Sequence, residues 1–360
     1  MAEHNAVFEP QNIVVTGGAG FIGSNFVRFV TREHPDVHIT VLDALTYAGN
    51  LKNLEGLDPK QVEFIHGNIC DAELLNRVIP GHDLIVHFAA ESHNDRAIED
   101  ASPFLKTNVE GTYTLLAAAA RYGLRFHHVS TDEVYGDLPL NSPARFTESS
   151  PYNPSSPYAA SKASSDHLVR AWNRTYGLYT TISNCSNNYG PYQHVEKFIP
   201  RQITNILHGL APQLYGTGLN VRDWIHVDDH CRAIWQIITR GLSGETYLVA
   251  AQGQKSNVEV LSLICEAMGA SADAVEFVAD RPGHDRRYAL DATKITTELD
   301  WHPLHTDFSQ GIENTIRWYS DHRDWWEPLK AQTEERYRRQ LSVLPCTGGL
   351  SPASCIYSKK

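Results

Sequence analysis

Thr16-Gly17-Gly18-Ala19-Gly20-Phe21-Ile22-Gly23 is the stretch from which the fold is read. A short apolar run, Asn12-Ile-Val-Val-Thr16, leads into it. Asn25-Phe-Val-Arg-Phe-Val30, with apolar residues at helical spacing, leads out. Strand, glycine turn and helix come in the order a phosphate cradle needs. Glycines let the backbone turn tightly and let a helix N-terminus face a pyrophosphate. Gly17, Gly20 and Gly23 give G-x-x-G-x-x-G rather than G-x-G-x-x-G. A second strand, His38-Ile-Thr-Val-Leu42, ends in Asp43, twenty residues after Gly23. That carboxylate can accept both hydroxyls of an adenosine ribose and would repel a 2′-phosphate. NAD is therefore expected over NADP.

The alternation continues outward from this unit. Val62-Glu-Phe-Ile-His66 and Asp83-Leu-Ile-Val-His-Phe88 read as strands, Ala72 to Val78 as a helix. Small residues, Ala89 and Ala90, follow the second of these strands and let a cofactor lie close. Asn108 to Tyr122 is a long alanine- and leucine-rich helix, and Phe126 to Val129 the next strand. Repeated βα units predict an α/β, Rossmann-type, doubly wound parallel sheet. Beyond Pro191 the rhythm turns irregular, which predicts a smaller, mixed C-terminal domain. The expected division is 1–190 for the cofactor, 191–340 for the substrate with some crossing of the chain, and 341–360 as a loose tail. Helices are expected up to Leu210, at Asn257 to Met268, at Ile312 to Tyr319 and on to Gln340.

Chemistry concentrates in Ser130-Thr131-Asp132-Glu133-Val134-Tyr135-Gly136. A hydroxyl and two adjacent carboxylates stand where a strand ends. Alone, such a stretch also suits a solvated, capped turn. Tyr158 and Lys162, at i and i+4 after a proline-rich loop, share one helix face. An ammonium there is expected to lower the phenol's pKa and make Tyr158 a base. Two close carboxylates favour one neutral and one ionised member, because both charges together are costly. His226 and His230 have a metal-like i, i+4 spacing. With no third ligand in pattern they are read as packing and hydrogen-bonding residues, and no metal is expected. The turn-rich run Asp280 to Tyr288 carries Arg281, Arg286 and Arg287 and suits a diphosphate.

Composition bounds the partners. The 360 residues have a net charge of −11, which disfavours nucleic acid and anionic membrane surfaces. No apolar run is long enough for a membrane span, and residues 1–11 lack the pattern of a signal peptide. Six scattered cysteines form no C-x-x-C, so a reducing cytoplasm is expected.

These motifs resemble extended short-chain dehydrogenase/reductases of the NAD-dependent epimerase/dehydratase group. More narrowly, Asp43-Ala-Leu-Thr-Tyr-Ala-Gly-Asn50, Ala89-Ala-Glu-Ser-His93, Ser130 to Gly136, Asn184-Cys-Ser-Asn-Asn-Tyr-Gly190 and Asp280 to Tyr288 resemble the dTDP-glucose 4,6-dehydratase family. The likeness runs from about Ile13 to about Tyr319. Sister epimerases usually carry Ser or Thr, not Asp-Glu, after the hydroxyl residue.

The resemblance implies residue roles. Phe21, Ile22, Asp43, Ala44, Leu45, Thr46, Asn68, Ile69, Phe88, Ala89, Ala90, Glu91, Ser92, Thr107, Tyr158, Lys162 and Asn188 would line the NAD site. Ser92, Thr131, Asn187, Lys197, Tyr215, Arg222, Asn257, Asp280, Arg281, Pro282, Gly283 and His284 would hold dTDP-glucose. Thr131, Asp132, Glu133, Tyr158 and Lys162 form the catalytic group, with Asp132 as acid, Glu133 as base and Tyr158 deprotonating the 4-hydroxyl. A homodimer is the family expectation. Three positions depart from the family: Asn68 where Asp is usual, Asn94 where an apolar residue is usual, and Val195 for a proline. A 4-epimerase, a sister dehydratase on another nucleotide sugar, and a non-catalytic NAD sensor remain as alternatives here.

Overall fold

Seven parallel strands carry the fold: β1 (Asn12–Thr16), β2 (His38–Asp43), β3 (Val62–His66), β4 (Leu84–His87), β5 (Arg125–Thr131), β6 (Thr180–Cys185) and, far along the chain, β10 (Thr246–Val249). Their spatial order is β3-β2-β1-β4-β5-β6-β10, and every pairing is parallel. The computed structural model describes residues 7–271 and 274–343, with side chains through residue 335. The order reverses between β1 and β4, where an open parallel sheet has its binding crevice at the strands' carboxyl ends. The expected doubly wound sheet is therefore present.

Both faces of this sheet are covered, as an all-parallel sheet requires. On one face α1 (Phe21–Glu33) buries Phe26, Val27 and Val30 against Ile234 and Ile238 of the helix Val227–Arg240. On the other, α2 (Ala72–Val78), the helix Thr112–Tyr122 and the helix Pro157–Tyr176 bury Leu75, Leu115, Leu116 and Val169. Each such side chain stabilises the layer by about 1.5–3 kcal/mol relative to exposure. Before them in the chain come α3 (Asn94–Glu99) and α4 (Ser102–Phe104), which pack against the last of these helices; the helices just cited are α5 (Thr112–Tyr122) and α6 (Pro157–Tyr176).

The sequence led us to expect one helix over Asn108 to Tyr122. Its first part is a wider, π-helical stretch, Leu105–Gly111. The extra width lets Asn108 reach out. Its side chain accepts from the Glu91 N–H and donates to the Glu91 carbonyl and Ser161 Oγ. Such π turns recur at functional sites, and this one clamps the loop after β4.

The remainder begins with β7 (Asn187–Tyr189), α7 (Phe198–Leu207), β8 (Gln213–Tyr215) and β9 (Val221–His226). Next come α8 (Val227–Arg240), β10, β11 (Gln254–Ser256), α9 (Asn257–Met268), β12 (Glu276–Val278), α10 (Thr293–Leu299), α11 (Phe308–Asp321) and α12 (Arg323–Val343). β11, β9 and β7 form a mixed three-stranded sheet; β12 and β8 form a parallel pair. An aromatic core of Tyr189, Trp224, Phe308, Tyr319, Trp325 and Trp326 holds α7, α9, α11 and α12 together. Ser256 and Glu259 start α9 with a reciprocal capping box. Helix α12 extends three residues past the expected Gln340; the rest of the expected tail, 344–360, lies outside the described residues.

Candidate active site

The crevice at the β1/β4 reversal opens into a cleft of about 310 Å³, within the range of small-molecule sites. The glycine turn forms its floor. Gly17 has φ +71°, and a Cβ there would sit 2.6 Å from the Ala89 nitrogen. Gly23 packs as tightly, with a Cβ 2.3 Å from the Gly17 oxygen. The first turn of α1 has no side-chain cap and no acidic residue, so its N–H groups face the cleft. Such a terminus suits a diphosphate. Asp43 closes one end: Oδ2 accepts from the Ala19 N–H at 2.9 Å and Oδ1 from Leu45 at 2.8 Å. Burial raises its pKa, the two backbone donors opposing. These features fit a dinucleotide with an unphosphorylated ribose.

The expected cofactor residues gather here. Gly20, Phe21, Ile22, Ala44, Thr46, Asn68, Ile69 and Thr107 line the cleft. So do Phe88, Ala89, Ala90, Glu91, Ser92 and Asn188. Leu45 does not. Its left-handed backbone (φ 49°) turns its N–H onto Asp43 instead.

The carboxylate pair stands in the same cleft. Thr131 ends β5, and its hydroxyl caps the single 3-10 turn Asp132–Tyr135 by accepting from the Glu133 N–H. Asp132 is 2% exposed; its Oδ1 meets Thr131 Oγ1 at 3.3 Å, and its buried Oδ2 has no hydrogen-bond partner among the described residues. Burial first, then the neighbouring Glu133, holds the Asp132 carboxyl well above the usual carboxylate range; Arg222 opposes. Of the two carboxyls, Asp132 is the one pushed toward the neutral form. Glu133 is half-buried and accepts from Asn94 Nδ2 at 3.0 Å.

Tyr158 and Lys162 come from the first turns of α6, which Ser156 caps and Pro157 starts. The expected depression of the Tyr158 phenol by Lys162 is not found. Burial, then Glu133, Cys185 and Asp132, push it well above its ordinary value. The reason is geometric. Lys162 Nζ donates to the Val129 carbonyl at 2.9 Å and lies 3.3 Å from His128 Nε2, which turns its charge toward β5. Burial lowers Lys162 to about 8, with Asp166 opposing.

Of the expected substrate residues, Ser92, Thr131, Asn187 and Lys197 line the cleft, with Lys197 Nζ donating to the Ser92 carbonyl at 2.9 Å. The others stand beside it. Arg222 donates to the Asp285 carbonyl at 2.8 Å, and its charge reaches Asp132. Tyr215 donates to Asp95 Oδ2, and Arg281 lies 3.7 Å from Asp95 Oδ1, so α3 gathers both. Asp280 pairs with His284 at 2.7 Å; Pro282 and Gly283 form the turn between, Gly283 against the Ser155 carbonyl. Asn257 opens α9, its N–H on the Asn220 carbonyl. His226 and His230 serve separate bonds: His226 caps α8, and His230 meets Asn188 Oδ1 at 2.9 Å. His226 also lies with Asp228 and His305, their ligand-type atoms within 4.8 Å of one another. Residues that sequence reasoning missed are Asn108, and Gln193 and His194 of the cleft wall. No periodicity marks them.

A family model described as GDP-mannose 4,6 dehydratase matches residues 14–315. That description names another nucleotide and hexose but the same 4,6-dehydration. The dTDP-glucose 4,6-dehydratase of Mycobacterium tuberculosis (strain CDC 1551 / Oshkosh) is 57% identical over 328 residues, covering 91% of this chain and 99% of the relative. The chain belongs to the dTDP-glucose 4,6-dehydratase family. Among solved structures, the dTDP-glucose 4,6-dehydratase DesIV of Streptomyces venezuelae, with NAD and TYD bound, aligns at a TM-score of 0.86 and 52% identity. The alignment covers 88% of this chain and 99% of that one. The Thermotoga maritima UDP-glucose 4-epimerase, with UDP-glucose, shares the fold at a TM-score of 0.80 and 27% identity, covering 86% and 99%. The fold therefore spans two activities, and the site must separate them. Within the dehydratase family the resemblance read from the sequence is borne out.

Proposed function

We propose that this chain converts dTDP-glucose to dTDP-4-keto-6-deoxyglucose and water, using NAD that stays bound. The observation that carries the reading is the buried Asp132 beside Glu133, in one cleft with Tyr158 and Lys162. A plain sugar dehydrogenase has no use for that carboxylate pair. The NAD found in DesIV supports the cofactor, as do Gly17, Gly23 and Asp43 here.

NAD, when bound, supplies a hydride acceptor for C4 and a donor for C6, and its nicotinamide charge favours the Tyr158 phenolate. Tyr158 Oη takes the 4-hydroxyl proton. The resulting 4-ketone acidifies C5–H, and the Glu133 carboxylate removes that proton. Asp132 gives its proton to the departing 6-hydroxyl, which leaves as water. Burial serves this step, because it keeps the acid protonated at neutral pH.

The dTDP moiety is proposed to lie along Asn187, Lys197 and the Arg222, Tyr215 and Arg281 group. Residues 1–190 would then mainly hold NAD and 191–340 mainly the nucleotide sugar, with β10 crossing back to pair with β6. A homodimer in the cytoplasm completes the reading. Among the described residues no helix is long and apolar enough to cross a membrane, and Cys70, Cys185, Cys231 and Cys265 are free thiols. The test is a panel of dTDP-, UDP-, CDP- and GDP-hexoses. Only dTDP-glucose should give the 4-keto-6-deoxy product at full rate; turnover confined to another nucleotide would overturn the assignment.

A further inference from the structure

Asn94 opens α3 and hydrogen-bonds to two parts of the site, the carboxylate turn after β5 and the start of α6. Its Nδ2 donates to Glu133 Oε2 at 3.0 Å. Its Oδ1 accepts from Ser156 Oγ at 2.9 Å. Ser156 is the N-cap of α6, and its Oγ also accepts from the Ala159 N–H at 3.1 Å. One side-chain amide thus spans the gap between the carboxylate turn after β5 and the helix that presents Tyr158 and Lys162.

The bonds of this chain agree in direction. The Ser156 oxygen accepts from Ala159 and gives its one proton to the Asn94 amide oxygen. The amide nitrogen then faces Glu133, where an ionised carboxylate can only accept. A reversed amide would set oxygen against carboxylate and waste the serine proton. Among the described residues Asn94 is the one side chain that donates to the Glu133 carboxylate.

Glu133 needs such a tether. It sits in a one-turn 3-10 segment, half-buried, next to Asp132. A glutamate has three rotatable bonds, and a neighbouring carboxyl pushes it away rather than holding it. Without a donor its carboxylate is free to swing toward solvent. We infer that Asn94 is a positioning residue for the elimination half of the reaction, which holds the Glu133 carboxylate in register with the helix that carries Tyr158. The inference rests on the reading of Glu133 as the base that removes the C5 proton. Asn94 meets neither Tyr158 nor Lys162 by hydrogen bond; it reaches their helix only through Ser156, whose capping bond from Ala159 does not depend on it.

The test separates the two halves on the holoenzyme with dTDP-glucose in heavy water. Two rates are followed: the rise in reduced nicotinamide absorbance, and the appearance of solvent deuterium at C5 of the product. Asn94→Leu should leave the first within about twofold and slow the second by about 10- to 100-fold, the span of a hydrogen bond to a charged group. Glu133→Gln alone should slow C5 labelling. Adding Asn94→Leu to Glu133→Gln should slow it no further, because both changes act through one carboxylate. Equal slowing of both rates by Asn94→Leu, or an additive double variant, would overturn the inference. Full-rate labelling in Glu133→Gln would instead remove Glu133 as base, which is a separate failure. If Asn94→Leu does not fold, Asn94→Ser, too short to span both partners, should show the same split between the rates, and equal rates there would overturn the inference.

Discussion

The Asp43 carboxylate accepts the backbone N–H of Ala19 at 2.9 Å, tying the end of β2 to the glycine turn after β1. The second oxygen is held by Leu45 N–H, so the side chain cannot swing aside for a larger ligand. A ribose hydroxyl can donate to such a carboxylate, while a 2′-phosphate meets a fixed negative charge. NAD should bind at least tenfold more tightly than NADP, about 1.4 kcal/mol or more. Asp43→Ala should narrow that gap. Titration of both cofactors into the apoprotein is the measurement, and equal affinities for the unmodified chain would refute the assignment.

On the proposed roles the carboxylates and the phenol act at different steps, so their variants should fail differently. Asp132→Asn and Glu133→Gln should still oxidise dTDP-glucose, seen as reduced nicotinamide, yet form product about 10²- to 10⁴-fold more slowly. Tyr158→Phe should slow the oxidation itself. Rapid-mixing absorbance with product analysis distinguishes the two patterns. Carboxylate variants that dehydrate at the full rate would cancel the roles given to residues 132 and 133.

Asp132 also predicts a stability effect with a definite sign. Its pKa is raised in the folded protein by burial and by Glu133. The folded state therefore binds a proton that the unfolded state releases, from the ordinary carboxylate range up to the raised value. Through that window stability falls as pH rises. At neutral pH the unmodified acid is a cost, which Asp132→Asn removes. The variant should melt higher at neutral pH, on the order of 2 °C for about 1 kcal/mol. The gain should shrink below about pH 4, where the unfolded acid is protonated too. Calorimetry at both pH values checks it; a lower melting point at neutral pH would refute it.

The residues that repeat with a period were legible from sequence, and those that act through a single contact were not. Strands β1 to β5 stood out as short apolar runs, and helices α2 and α9 by apolar residues at helical spacing. Strand β10 was hidden: Thr246–Val249 is a short run whose partner residues in β6 lie 64 positions earlier in the chain, and nothing local announces it. Lys162 shared a helix face with Tyr158 as read, but a flexible ammonium takes the nearest buried acceptor, here the Val129 carbonyl. Spacing could not foresee that choice, so the sign of the Tyr158 shift came out reversed. Asn94 was visible only as a polar residue in an unusual place. Its bond to Glu133 needs the fold to bring residues 39 apart into contact.

Gly17 offers a test of the cradle independent of catalysis. Its φ of +71° and the Ala89 backbone 2.6 Å from any Cβ leave no room for a side chain. Gly17→Ala must strain the turn or push β4's exit loop away, at a cost of about 1–3 kcal/mol. NAD affinity should fall with stability, because the same displacement opens the diphosphate seat. Apoprotein melting and NAD titration would both have to be unchanged for the cradle to be misplaced.

The presence of both a tyrosine-lysine pair and an acid-base pair in one cleft decides where the C4 hydrogen must go. Oxidation at C4 alone would consume NAD, and elimination alone would need none. Together they make a cycle without net redox change, in which the hydrogen removed from C4 returns to C6 of the same sugar. The C5 proton has a different fate. On the proposed roles it passes to the Glu133 carboxylate, which is half-buried and should exchange its proton with water. dTDP-glucose carrying deuterium at C4 should therefore yield product labelled at C6, with no added reduced cofactor. Mixed labelled and unlabelled sugars should show no crossover, because the cleft holds one sugar through both steps. In heavy water, solvent deuterium should enter at C5. Mass spectrometry and NMR of the product read all three positions. Loss of the C4 label to water, or consumption of one NAD per sugar, would place the chain among simple sugar dehydrogenases and leave Asp132 and Glu133 without a task.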